Sequence, residues 1–173
     1  MKLFKAIALC ATLVTLLSIG AFATNATGNL GVSASVSASC AVASGATLAF
    51  GAYDPAVVNA TNPLTQNSTF DITCTSGTSA TVMLGQGLHA GTGSSDASPA
   101  RQMLNATDGT TKMGYGLYQD TNDQTVWGNT TGTGETDTGN GSAQSLTVYG
   151  EIPAGQNVSA GSYADTVVIT VSY

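Results

Sequence analysis

The acidic side chains that lie closest together in the sequence are the first candidates for acid–base chemistry. Asp120 and Asp123 form one pair, and Glu135 and Asp137 form another. Two carboxylates on either side of a sugar bond are the arrangement that glycoside hydrolysis uses. Both pairs lie in Gly-, Thr- and Asn-rich sequence typical of solvated turns, and no residue set supplies a nucleophile, a base and oxyanion donors together. The sequence therefore predicts that the protein is not an enzyme.

Ligands for a metal or a cofactor are also scarce. His89, the one histidine of the chain, lies in a Gly- and Ser-rich segment beside Gly87 and Gly91, and we expect it to be exposed and inert. Residues 120–123 (Asp-Thr-Asn-Asp) resemble the start of a calcium loop, but the turn glycine and the distal glutamate that such a loop requires are missing. We therefore expect no metal and no cofactor.

Aromatic side chains offer a third kind of site, because Trp127 and six tyrosines can stack on sugars. Tyr115 lies on an alternating apolar face, and Tyr163 is placed to make a corner hydrogen bond at the start of a strand. Trp127, beside Gly128, fits packing against a sheet end as well as the lining of a shallow site. A secreted carbohydrate-binding β-sandwich module therefore remains an alternative function.

The N-terminal segment is typical of an export signal. Lys2 and Lys5 precede an apolar run over residues 6–17, and residues 21–23 (Ala-Phe-Ala) fit a signal-peptidase site. The sequence predicts a signal peptide over residues 1–23 and a mature domain over residues 24–173. The apolar run is too short for a comfortable membrane span, so we expect no permanent membrane span.

Few charges remain on the predicted mature chain. Charged residues make up 8% of the sequence, about a third of the usual share. Residues 24–173 contain ten acidic side chains against Arg101 and Lys112, a net charge of −8. Because nucleic-acid binding requires a basic patch on the protein surface, this composition excludes a nucleic-acid partner.

Two cysteines, Cys40 and Cys74, follow the predicted cleavage site. An even pair in an exported domain is typical of a disulfide. The chain-entropy model assigns roughly 3–4 kcal/mol to a loop of this length. We therefore expect a Cys40–Cys74 disulfide.

Apolar residues alternate with small polar ones, the period of a half-buried strand. The alternating segments are residues 30–42, 48–50, 70–74, 80–84, 113–117, 146–148 and 167–173. Residues 85–99 and 128–142 are polar and Gly-rich and are expected to be loops. Six to eight short strands with one early disulfide predict an antiparallel β-sandwich with an immunoglobulin-like plan.

The last strand lacks an evident partner. Val167, Ile169, Val171 and Tyr173 share one face by period 2, and an open hydrophobic edge of this kind favours aggregation. We expect these four residues to form one wall of a groove that accepts a further strand. That strand comes either from the N-terminus of the same chain or from another molecule.

The segment before Cys40 is the candidate for this further strand. If the first strand takes the last six or seven of its residues, roughly ten remain, which span about 33 Å when extended. Ala26, Gly28, Leu30 and Val32 share one face of this arm, residues 24–33. The alternation fits a long first strand within the same sandwich equally well. We favour donation to a neighbouring molecule, because the C-terminal edge otherwise lacks a partner.

Several short motifs in the C-terminal third resemble the spore coat protein U domain, and the similarity extends over essentially the whole mature chain. The motifs are Trp127-Gly128, residues 146–150 (Leu-Thr-Val-Tyr-Gly), Ile152-Pro153, Gly155-Gln156, Gly161, Tyr163, residues 165–167 (Asp-Thr-Val) and residues 171–173 (Val-Ser-Tyr). That family includes the major subunits of archaic chaperone–usher pili.

The resemblance implies an incomplete immunoglobulin-like sandwich that a donor strand completes. It also implies three partners: a periplasmic pilus chaperone, an outer-membrane usher, and identical or homologous subunits in a fibre. The function expected on this basis is that of a structural subunit of a surface pilus, exported through the periplasm and supporting adhesion and biofilm formation. A spore or cyst coat protein is the alternative within the same family.

Overall fold

The computed structural model describes residues 23–173, and these residues form strands, turns and loops without a helix. The predicted signal peptide lies outside the described residues except for Ala23. The nine strands are β1 (Cys40–Val42), β2 (Leu64–Cys74), β3 (Ser79–Leu84), β4 (Arg101–Asn105), β5 (Lys112–Tyr118), β6 (Glu135–Thr138), β7 (Ala143–Ile152), β8 (Tyr163–Ala164) and β9 (Ile169–Ser172). The all-β fold class is therefore confirmed.

The strands form two antiparallel sheets, as expected for an immunoglobulin-like sandwich. One sheet has six strands in the order β1-β2-β7-β5-β4-β8, and the other has three in the order β6-β3-β9. The longest ladder joins β2 to β7, from Leu64 opposite Ile152 to Thr73 opposite Ala143. β8 and β9 each lie at the edge of their sheet, so the last stretch of chain leaves one sheet and joins the other.

The core follows the predicted alternation. In β5, Met113, Tyr115 and Leu117 are buried, with half-buried glycines between them. Trp127 is fully buried, donates from Nε1 to the Val82 carbonyl at 2.8 Å, and has its ring 5.8 Å from that of Phe70. Its packing role is therefore established, and stacking of Trp127 on a surface sugar is excluded. Burial of each large side chain contributes roughly 1.5–3 kcal/mol.

The predicted disulfide is confirmed. Cys40 of β1 and Cys74 of β2 are directly opposite each other in the ladder, with Cα atoms 4.1 Å apart, and their sulfurs are bonded. The disulfide therefore links the short first strand covalently to the buried end of β2.

The sequence placed some strand boundaries wrongly. The first strand begins at Cys40, whereas the alternation starts ten residues earlier at Leu30. β6 lies within the segment predicted as a loop over residues 128–142, because its sequence, Glu-Thr-Asp-Thr, carries no apolar alternation. β4 was likewise not predicted. Residues 48–50 carry no strand, although Leu48 and Phe50 pack against the core.

The described residues divide into two units. Val36–Tyr173 is the compact β-domain. Residues 23–35 belong to the other unit, carry no strand and have exposed side chains. Within residues 23–173 we find no helix with the length and hydropathy that crossing a bilayer would require.

Candidate functional site

An open apolar groove crosses the β-domain between two stretches of chain, residues 46–53 and residues 158–169. It consists of two adjoining clefts of about 660 and 560 Å3, which share Leu48, Ala49, Phe50, Met103 and Tyr163 as lining residues. Its floor consists of side chains from the core cluster, namely Phe70, Leu84, Met113, Tyr115, Leu117, Val148 and Ile152. Core side chains thus line a channel wide enough to admit further protein atoms.

The first wall lies on β7 at Gly150. A Cβ at this position would come within 2.7 Å of the Phe50 ring and 3.0 Å of the Leu48 side chain, so the glycine lets the wall approach β7 closely. The Phe50 ring meets Tyr115 edge-on at 6.3 Å. At the end of the wall, the Tyr53 hydroxyl donates to the Pro153 carbonyl at 2.8 Å. Residues 46–53 are therefore fixed without being part of a ladder.

The second wall is the last stretch of chain, where half-buried and exposed residues alternate from Tyr163 to Val171. Val167 and Ile169 line the groove, and Val171 packs against the core. Tyr173 has an exposed fraction of 60% and lies outside the lining. β9 forms a ladder with β3 alone within the described chain and lies close to β1 without pairing with it, so its other edge is unpaired.

The four residues predicted for the donor strand lie outside the β-domain. Ala26, Gly28, Leu30 and Val32 are exposed, with Leu30 at 88% and Val32 at 87%. Their exposure leaves them without a packing partner among the described residues.

A buried carboxylate fixes the second wall between β8 and β9. The side chain of Asp165 is only 2% exposed. It accepts hydrogen bonds from the Tyr115 hydroxyl at 2.7 Å and the Leu88 amide at 2.9 Å, and its Oδ1 lies 3.0 Å from Nδ1 of His89. Burial, followed by the hydrogen bond to Asp165, raises the pKa of Tyr115. The phenol therefore stays protonated and remains a donor.

The expectation that His89 is exposed is wrong. His89 is half-buried, and its loop lies over Asp165 because Gly87 has a φ of +84° and no side chain that would collide with the carboxylate. Asp165 is 76 residues away from His89 in the sequence, so no local pattern signals the contact.

A buried guanidinium joins neighbouring loops to the core. Arg101 is 2% exposed and donates to the carbonyls of Gly85, Leu84 and Trp127 at 2.7–2.8 Å. Burial lowers its pKa to about 10, so the group still carries its charge at neutral pH. Its role is to satisfy two carbonyl groups at the end of β3 and the carbonyl group of Trp127.

Two side chains complete the far end of the groove. The Tyr163 hydroxyl donates to the Ser159 carbonyl at 2.6 Å, which confirms the predicted corner hydrogen bond. Beyond the end of β7, the Gln156 amide accepts from the Gly114 amide at 2.7 Å and donates to the Gly114 carbonyl at 2.8 Å. This side chain therefore takes the place of a strand neighbour for β5.

The predicted carboxylate pairs have local roles. Asp120 accepts hydrogen bonds from the backbone amides of Asn122 and Thr125 and closes its own loop. Burial and the nearby Asp137 raise the pKa of Glu135. In the part of the chain from Ala23 onwards, no three His, Cys, Asp or Glu side chains are grouped closely enough to hold a metal ion.

Comparison with known proteins places the chain in a family. The spore coat protein U domain matches residues 26–170. The chain belongs to this family. Its similarity to "Protein U" of Myxococcus xanthus is 43% identity over 156 residues, which is 87% of each chain. The family is one of structural proteins.

A solved structure shares the fold. It is a chain of the chaperone–tip adhesion subunit pre-assembly complex from the archaic chaperone–usher Csu pili of Acinetobacter baumannii. The TM-score is 0.51 at 18% identity over 80% of this chain. The matched region spans only 40% of the solved chain, so the comparison concerns the fold of that part alone.

Proposed function

We propose that the protein is a structural subunit of a surface fibre and polymerises by donor-strand complementation. Its N-terminal arm, residues 24–33, inserts into the groove of the next subunit, antiparallel to the last strand. The observation that carries this proposal is the groove itself, which is lined by half-buried apolar side chains such as Leu48, Phe50 and Val167 and lies beside the unpaired edge of β9.

An inserted strand satisfies both requirements of the groove. Its backbone pairs with the unpaired edge of the last stretch, and its alternate side chains cover the apolar floor. Leu30 and Val32 of the arm together contribute about 3–6 kcal/mol on burial. The remaining affinity comes from the row of backbone hydrogen bonds, at about 0.5–1.5 kcal/mol each.

The expected partners follow from the open groove. A subunit with an exposed apolar channel needs a periplasmic chaperone until a neighbour fills it, and the solved relative of this fold comes from a chaperone–subunit complex. An outer-membrane usher and identical or homologous subunits complete the pathway, which delivers the fibre to the cell surface for adhesion and biofilm formation.

A spore or cyst coat protein is the second candidate. The 43% identity to Protein U over most of both chains supports it. Strand donation serves a coat as well as a pilus, so electron microscopy of the producing cells would separate them. Extended fibres indicate a pilus, and a continuous layer indicates a coat.

Two variants test the mechanism. A chain that lacks residues 24–31 should fold with a chaperone but fail to polymerise. The same segment joined behind Tyr173 through a flexible linker should give a stable monomer, because the strand is then supplied in cis. Size-exclusion chromatography and thermal unfolding measure both effects. Fibres from the shortened chain, or no gain in melting temperature from the fusion, would show that the arm is an ordinary first strand.

A further inference from the structure

The two edges of the three-stranded sheet differ in the chemistry of their half-buried faces. β6 and β9 lie on either side of β3, and each has one unpaired edge within the described chain. The half-buried residues of β9 are Ile169 and Val171. Those of β6 are Glu135 and Asp137. The same sheet therefore has one apolar edge and one acidic edge.

The register with β3 places the two carboxylates of β6 on the inner face of the sandwich. Glu135 lies opposite Val82, and Asp137 lies opposite Ala80. Residues directly opposite in an antiparallel pair point to the same face, and both Val82 and Ala80 belong to the buried core. The acids therefore point inwards at the rim of the core, while the two threonines of β6 are exposed on the outer face.

Glu135 is unfavourable for the stability of its own sheet. Its Oε2 atom is buried without a hydrogen-bond partner among the described residues, and an unsatisfied buried polar group costs folding free energy. A β-branched residue opposite Val82 would suit the strand better. Inward-pointing charges on a short strand are, however, a means by which folded proteins keep a free edge from pairing.

The backbone of β6 exposes few hydrogen-bonding groups at this edge. The Gly139 amide donates to the Thr78 carbonyl, and the Gly139 carbonyl accepts from the Gly77 amide. Because the backbone groups of successive residues point to alternate sides of a strand, those of Thr138 and Thr136 point away from β3. A partner strand would have to pair with these two residues.

Side chains already occupy the backbone groups of Thr138. Its amide donates to Oδ1 of Asp137 at 2.7 Å, and its carbonyl accepts from the side-chain amide of Gln144 at 3.2 Å. The same Gln144 amide donates to Oδ1 of Asp137 at 3.1 Å. Thr136 is therefore the position of β6 at which a further strand could begin to pair.

Pairing of β6 with β6 of a second copy would bring like charges together. In an antiparallel pair centred on Thr136, Glu135 of each copy lies opposite Asp137 of the other. Like charges directly opposite each other are destabilising, and the added strand would bury them further. A shift by two residues places Glu135 opposite Glu135, or Asp137 opposite Asp137, so it removes none of this repulsion.

We propose that Glu135 and Asp137, together with the Gln144 side chain over Thr138, protect the β6 edge from strand addition and prevent two copies of the chain from joining through it. The sheet then accepts a further strand at the β9 edge alone. The inference does not depend on donation of the N-terminal arm, because β6 contributes no residue to the groove.

A single cysteine at the open position reports on pairing through β6. Thr136→Cys in the complete mature chain brings two thiols opposite each other when the β6 strands of two copies pair, at a separation that a disulfide can bridge. Adding Glu135→Val and Asp137→Val should raise the yield of disulfide-linked dimers at least about tenfold, since two pairs of opposed carboxylates are removed. Non-reducing gels after mild oxidation of the purified protein measure the yield.

A second acid variant and a matched control complete the test. Glu135→Gln with Asp137→Asn removes both charges with little change in size, so it should also raise the dimer yield of T136C and serves if the valine variant does not fold. Ser79→Val with Thr138→Val is the matched control, because these two residues lie opposite each other and are exposed on the outer face. It adds two valines but keeps both acids, and the yield should stay at that of T136C alone.

Three results would overturn the proposal. The first is efficient dimer formation by T136C with both acids in place. The second is an unchanged yield when the acids are replaced, and the third is an equal rise in the outer-face control, which would assign the association to added apolar surface. Since the gel reports contacts through residue 136, none of these results depends on whether the N-terminal arm supports polymerisation.

Discussion

Asp165 is the buried carboxylate that fixes the second wall of the groove. It is buried in the last stretch of chain and accepts hydrogen bonds from Tyr115 and Leu88 and has His89 beside it. These groups belong to a strand and a loop that are far from Asp165 in the sequence. A single carboxylate therefore holds the wall, the floor and the covering loop in one arrangement.

Replacing this carboxylate should destabilise the domain. Asp165→Ala leaves the Tyr115 hydroxyl and the Leu88 amide without their acceptor, and we expect a loss of about 2–4 kcal/mol in the free energy of unfolding, because each unsatisfied buried group costs about 1–3 kcal/mol. Tyr115→Phe removes one donor and should cost about 1 kcal/mol. Urea unfolding of the purified protein measures both. Equal losses for the two variants would contradict the central role of Asp165.

Glu135 gives a pH-dependent prediction. Burial and Asp137 raise the pKa of Glu135. At pH values between the unfolded and the folded pKa, the folded state therefore retains a proton that the unfolded state has released. The wild-type protein therefore gains stability from this group as the pH falls and loses it as the pH rises through the raised pKa.

The variant Glu135→Gln removes this dependence. We expect it to be more stable than the wild type at pH 7 by less than about 1 kcal/mol, since the group is partly exposed. The difference should shrink as the pH falls through the raised pKa of Glu135 and should level off below about 4.5, where the unfolded carboxyl also binds its proton. Thermal unfolding at several pH values measures the effect, and a difference that grows towards acid pH would contradict it.

At the scale of elements, the last stretch of chain combines two roles. β8 is an edge strand of one sheet and β9 is an edge strand of the other. The residues between them cross from the first sheet to the second. Because this stretch alternates a half-buried face with an exposed one, it can line the groove and still offer a free backbone edge.

A charge on the inner face should block assembly. Ile169→Asp places a carboxylate in the apolar groove, where burial of an unpaired charge is strongly unfavourable. We expect the affinity between subunits to fall at least about tenfold, a loss of about 1.4 kcal/mol in binding, and the fibre yield to fall with it. Val168→Asp is the matched control, because its side chain is 62% exposed on the opposite face. Electron microscopy and sedimentation measure the yield, and normal fibres from I169D would overturn the groove assignment.

At the scale of the molecule, the domain is a sandwich with a channel along its length and one disulfide at its start. Polymerisation through such a channel makes the final stability a property of the fibre. The bond between Cys40 and Cys74 is a covalent link within each subunit.

The disulfide should matter for the subunit before assembly. The double variant Cys40→Ser/Cys74→Ser lacks the bond that closes a loop between two residues with a sequence separation of 34. We expect its free energy of unfolding to fall by roughly 3–4 kcal/mol. Denaturant unfolding measures the difference, and non-reducing peptide mapping checks the bond in protein recovered from the periplasm. Two free thiols in that protein would contradict both the bond and the expected export.

Local patterns predicted much of the fold. Alternation predicted the central strands, including the face that Val167 and Ile169 share. A strand with one buried face shows an apolar–polar alternation of period 2 in its own sequence. An even cysteine pair predicted the disulfide. The Tyr163 corner was predicted from its position at the start of a strand. Each of these features depends on residues close together in the chain or on residue type alone.

The sequence by itself determined the fold class, the disulfide and the two faces of the last strand. Only the tertiary structure decided where the first strand begins, that Trp127 is buried, and that His89 and Asp165 meet. The physical reason is the distance along the chain over which each interaction acts. Alternation shows that a face is apolar but does not show what covers it, and a buried polar contact between distant residues has no local pattern. The same limit explains Val36, whose alternation with its neighbours concealed that no strand of its own domain includes it.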